Sequence, residues 1–92
     1  MDYNPAFKPI EFLNNEIFIK DFYVLSAIYS ENVKAKRIIK KDDKVIFVFD
    51  NSGAALQIAA AYVSNGTHPI NLKKYVNSAA EVRSILREKM KG

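Results

Sequence analysis

The chain has 92 residues, 49% of them hydrophobic and 26% charged, which is enough for one domain with a single modest core. It has no cysteine, which excludes disulfides and cysteine-ligated zinc or iron–sulfur centres, so packing, self-association or a partner must supply the stability. The net charge of +4 suits contact with phosphate or with an acidic partner, and where the basic residues lie matters more than their sum.

The opening stretch MDYNPAFKPIEF starts with an acid and has no unbroken apolar run, so no signal peptide is expected. No run approaches the length of a membrane span, and the expected compartment is the cytoplasm. Residues 1–15 read as an arm: Pro5 and Pro9 block regular pairing, while Tyr3, Phe7, Ile10 and Phe12 are apolar anchors spaced through it. Residues 16–92 are then expected to form a single domain. Its first element is EIFIK at 16–20, a short strand rich in branched and aromatic residues.

Asp21 is placed to cap a helix over 22–31, FYVLSAIYSE, whose apolar residues run nearly all round and mark it as buried. Asn32 is its expected stop, because asparagine tolerates the left-handed conformation. VKAKRIIK at 33–40 and KVIFVF at 44–49 predict a hairpin across the polar turn Lys41-Asp42-Asp43-Lys44. Asp50, Asn51 and Ser52 compete to cap a second helix over 53–64, with Leu56, Ala59, Ala60 and Val63 as its inward stripe. Asn65-Gly66 should end it, the glycine supplying a positive φ. THPIN follows as a short extended connection.

Asn71 then starts a third helix with Leu72, Tyr75, Ala79, Val82, Leu86 and Met90 on one side. Lys73, Asn77, Ser84, Arg87 and Lys91 lie opposite. The order β-α-β-β-α-(β)-α predicts an α+β domain, a small and mostly antiparallel sheet with three helices.

Four stretches, IFIKDFYVLSAI at 17–28, KVIFVFD at 44–50, AAAYVSNG at 59–66 and NLKKYVNSA at 71–79, carry a resemblance that spans about residues 16 to 90. The pattern resembles a family of small phage and mobile-element proteins known only as a domain of unknown function. Two departures stand out: Glu31-Asn32 where that family usually has a glycine, and Val63 where an aromatic residue often follows the Ala-Tyr pair. The resemblance implies a setting, a compact mobile genome whose small proteins serve replication, gene control or suppression of host defence. It implies no catalytic residue.

Phe47 and Phe49 share one face of their strand, and on an open sheet two such rings could stack bases. The alternative is that they pack with Val45 beneath the helices while Ile46 and Val48 take the other face. The buried alternative is the expectation, since phenylalanine is an interior residue and VIFVF needs cover. Lys34, Lys36, Arg37, Lys40, Lys41 and Lys44 remain candidate phosphate contacts in either case, as do Lys73, Arg87 and Lys91 on the last helix, with Arg83 near its edge. Glu81 and Glu88 interrupt that helix's basic character.

The turn FDNSG leads into a helix N-terminus but has neither the glycine pattern nor the lysine of a phosphate-binding loop, so it reads as a cap. His68 is the only histidine and has no visible nucleophile or metal co-ligand beside it. Asp42 and Asp43 are adjacent in a turn and diverge; Glu11, Glu16, Asp21 and Asp50 have no spacing that would converge them. No catalytic residue, metal site or cofactor is therefore expected.

Two functions follow. The first is a non-enzymatic accessory protein of a phage or mobile element that contacts DNA or RNA through Lys36, Arg37, Lys40, Lys41, Lys44, Lys73, Arg87 and Lys91. The second is a protein-binding inhibitor or adaptor using Tyr3, Phe7 and Phe12, with Tyr29 and Tyr62 as further exposed rings. A homodimer is compatible with either, and no membrane partner is expected.

Overall fold

A computed structural model describes residues 8–91. Its elements are β1 (Ile10–Leu13), β2 (Glu16–Ile19), α1 (Phe22–Ser30), β3 (Arg37–Lys41), β4 (Lys44–Asp50), α2 (Gly53–Val63) and α3 (Leu72–Lys91). The strands form one antiparallel sheet in the order β1-β2-β4-β3, so two hairpins lie side by side with α1 crossing between them. This is an α+β domain, in the order β-β-α-β-β-α-α. No described helix is long and apolar enough to cross a membrane.

The first difference from expectation is at the N-terminus. Residues 10–13, expected within an arm whose prolines block regular pairing, form an edge strand, in register from Ile10 opposite Ile19 to Leu13 opposite Glu16. Pro9 stands just before the strand, where its missing N–H costs nothing, and its carbonyl accepts from Lys20 N at 2.8 Å. Asn14 turns the corner in the left-handed region, at φ 59°, a conformation asparagine bears better than most residues. The second hairpin turns the same way, with Asp42 at φ 58°. The THPIN segment, by contrast, is not a strand: no described strand pairs with it, and it runs as coil from α2 to α3.

Period-two alternation sends Ile17, Ile19, Val45, Phe47 and Phe49 to one sheet face, where the helices pack. Val24, Leu25, Ile28 and Tyr29 of α1, Ala55, Ile58 and Ala59 of α2, and Val82 of α3 close that core. Phe47 and Phe49 are fully buried, each edge-on to Tyr29 with ring centroids 6.0 and 6.3 Å away. Base stacking on these two rings is therefore ruled out. Phe18, Ile46 and Val48 form a second buried cluster on the opposite face, with Leu13 and Ile39 at its margin.

Capping follows the sequence at α1, where Asp21 Oδ1 accepts from Tyr23 N at 2.9 Å and Val24 N at 3.0 Å. Asn32 ends that helix at φ 63° as expected. Asn71 Oδ1 accepts from Lys74 N at 3.0 Å and caps α3. At the end of α2, however, Asn65 rather than Gly66 takes the left-handed position, at φ 60°. The inward faces also shift. Ala55 and Ile58 replace Val63 inside α2, and Ser78 joins Val82 inside α3 while Leu72 is 74% exposed and Met90 lies at the surface. Tyr29, expected at the surface, is buried with its hydroxyl oxygen accepting from Ala35 N at 3.3 Å.

Candidate nucleic-acid interface

The structure divides the eight basic residues singled out above into three groups. Lys36 and Arg37 sit where β3 begins, beside the acidic ends of two neighbouring strands. Glu16 and Asp50 are cross-strand partners there. Arg37 reaches over β4 to grip both Glu16 oxygens, Nη1 to Oε2 at 2.7 Å and Nη2 to Oε1 at 2.8 Å. Lys36 Nζ lies 2.7 Å from Asp50 Oδ1 and 3.1 Å from Glu16 Oε2. The forked Arg37 contact, helped by Lys36, holds the Glu16 carboxyl down at about 2 against an ordinary value of 4.5. Two cations and two carboxylates thus neutralise one another, leaving little charge here for phosphate.

The far end of the same hairpin is different. Lys41 and Lys44 are directly opposed across the ladder, and Lys40 opposes Val45. Like charges in that position repel. Lys20, just past the end of β2, shares a cleft of about 360 Å³ with Lys44, Asp43, Val45, Leu86 and Met90. Its ammonium is pushed below the ordinary lysine pKa, first by burial and then by the Lys44 charge. Leu86 and Met90 bring the last turns of α3 to this cleft, so exposed Arg87 and Lys91 belong to the same end of the molecule. Among the described residues, Lys20, Lys40, Lys41, Lys44, Arg87 and Lys91 form no ion pair.

Lys73 is not part of this group. It stands on the first turn of α3, about 27 Å from Lys91 at 1.5 Å per residue. Lys34 and Arg83 are also occupied: Lys34 Nζ contacts Glu81 at 2.9 Å and lies over the Tyr29 ring, and the Arg83 guanidinium stands 5.1 Å from the Phe22 ring centre. No family model matches this chain, no curated protein matches it, and no solved structure does. The functional reading rests on the geometry and on the resemblance in the sequence.

Of the proposed protein-binding residues, Tyr3 and Phe7 lie outside the described residues. Phe12 is on β1 opposite Ile17, on the helix side of the sheet, and 40% exposed. Tyr62 is half exposed at the end of α2. Sequence reasoning missed Lys20. Its only signal is position: a lysine between a strand and a helix cap, which gains meaning once β4 and α3 arrive beside it.

Proposed function

We propose that the chain is a small non-enzymatic accessory protein of a phage or mobile element, acting in the cytoplasm at nucleic acid or within a nucleoprotein complex. Phosphate contacts come from the basic end, Lys20, Lys40, Lys41, Lys44, Arg87 and Lys91. One observation supports this reading: Lys41 and Lys44 are opposed there and Lys20 shares a cleft with Lys44, and although Asp43 lines it too, none of these lysines forms an ion pair among the described residues, while the other end of the same hairpin is neutralised. Holding Lys41 opposite Lys44, and Lys20 near Lys44, costs free energy in the isolated protein that a polyanion would return. The resemblance to phage and mobile-element proteins supplies the setting. The non-enzymatic part rests on the sequence, which offers no set of catalytic residue types at converging spacings.

The test is fluorescence anisotropy with short labelled single- and double-stranded oligonucleotides at low ionic strength. Binding is expected, weakening steeply as salt rises because released counterions dominate the free energy. Failure of every oligonucleotide to bind at low salt overturns the reading.

A further inference from the structure

A second surface lies on the other side of the β2–α1 join. Lys20 turns into the basic cleft, whereas Asp21, extended at φ −72° and ψ 122°, turns toward a cluster of tyrosines. Tyr23 and Val24 of α1, Ile58 and Tyr62 of α2, His68 of the connection and Tyr75 of α3 line a cleft of about 440 Å³. Its rim is apolar and open: Tyr23 is 69% exposed, and Tyr62, Ile70 and Leu72 are also at the surface. A contiguous patch of this kind on so small a domain marks a place of contact.

Beside the cleft stands a carboxylate with no cationic partner among the described residues: Asp21 is not in its lining but meets its rim at Tyr62. Asp21 Oδ1 is taken up by the two amides it caps, and Oδ2 lies 3.3 Å from the Tyr62 hydroxyl that donates to it. No lysine or arginine among the described residues pairs with Asp21. The local field agrees. The Tyr62 hydroxyl is held above its ordinary pKa chiefly by the Asp21 charge, and that of Tyr75 by burial, then by Tyr23 and Asp21.

These features select an occupant. A neutral apolar segment would cover the rim beside Asp21 and leave its carboxylate without a countercharge, and an acidic segment would be repelled. A cation on an aliphatic stem satisfies both demands, its stem covered by the tyrosine rings and its charge facing Asp21 and their π systems. We propose that this cleft receives a lysine or arginine side chain presented by a basic segment of a protein partner. The surface is separate from the basic end and stands or falls independently of nucleic-acid binding.

The test uses the full ¹⁵N-labelled chain titrated with a capped leucine-arginine-leucine peptide, followed through amide chemical shifts. Its control is the same peptide with neutral, isosteric citrulline in place of arginine. Shifts are expected at Tyr23, Val24, Ala27, Tyr62 and Gly66, with the citrulline peptide about five- to tenfold weaker. Asp21→Asn should weaken arginine-peptide binding by a similar factor and keep the helix cap, because asparagine caps as well as aspartate. Tyr23→Ala, at an exposed ring, should weaken it without touching the core.

Equal affinity for the two peptides, shifts that map elsewhere, or unchanged binding by both variants would overturn the proposal. So would concentration-dependent shifts of these amides in the absence of peptide, since a second copy of the chain would then be the occupant.

Discussion

Replacing both Lys41 and Lys44 with glutamine should flatten the salt dependence of nucleic-acid binding, and replacing Lys36 should not. Six cations lie toward the basic end, Lys20 and Lys44 in its cleft, Lys40 and Lys41 on the adjoining strand, and Arg87 and Lys91 on the last turns of α3. If each displaces a counterion from a duplex, the slope of log affinity against log salt is about −5. Raising salt from about 50 to about 200 mM would then cost about three decades of affinity. The double variant removes two contacts, so its slope falls to about −3.6 and its loss over the same range to about two decades. Lys36 is already matched by Asp50 and Glu16, so Lys36→Gln should move the slope by less than about 0.5. All three lysines are exposed, and the fold should tolerate the changes to within about 0.5 kcal/mol. The assay is anisotropy at a series of salt concentrations on one duplex. If Lys36→Gln flattens the slope as much as the double variant does, the division of the hairpin into a neutral and an active end is wrong.

Two further predictions concern the scaffold. Val82→Ala should lower stability in urea unfolding by about 2 kcal/mol, two buried carbons plus the cavity they leave, while Leu72→Ala on the same helix should change it by less than about 0.5 kcal/mol; equal effects would refute the placement of α3. Glu16 should titrate near 2 in carboxyl NMR, and Arg37→Lys should raise that value by breaking the two-pronged contact. Because the folded pKa lies below the ordinary 4.5, the stabilisation is present above that value and is lost as pH falls from 4.5 toward 2. Relative to Glu16→Gln, the native chain should therefore lose stability across that window; a Glu16 midpoint near 4.5 would contradict the geometry.

Much of the scaffold was legible in the sequence because its signals are local. Asp21 and Asn71 cap helices by contacts within three residues, and Asn32 stops α1 by its own backbone preference. VIFVF alternates, and the core lies on the side that holds Phe47 and Phe49. The edge strand was concealed by two prolines and by a turn, Asn14-Asn15, that has no glycine; asparagine's tolerance of positive φ was the missed cue. The α3 stripe was misread at its ends, since periodicity gives the direction of a face but not how far neighbouring elements extend along it. Leu72 belongs to that face and projects beyond the core.

The candidate site was less legible because the availability of a cation depends on strand order. In the sequence, Lys36, Arg37, Lys40 and Lys41 form one basic run. Pairing β2 with β4 sets Glu16 beside Asp50 at one end of β3, and the same ladder sets Lys44 opposite Lys41 at the other. Arg37 shows what this does to a single side chain. It stands opposite Val48, crosses it to reach Glu16, and its guanidinium lies 6.0 Å from the Phe18 ring centre. Its stem therefore helps to cover the second sheet face, where Val48 is fully buried in a cluster that includes no residue of the described helices. A residue that covers apolar surface and holds a carboxylate contributes to folding, and the desolvation and pairing it has already undergone leave it little to gain from phosphate. Lys44 is in the reverse position: Lys41 stands opposite it and Lys20 shares its cleft, and although Asp43 lines that cleft too, Lys44 forms no ion pair among the described residues and stays available to an incoming anion.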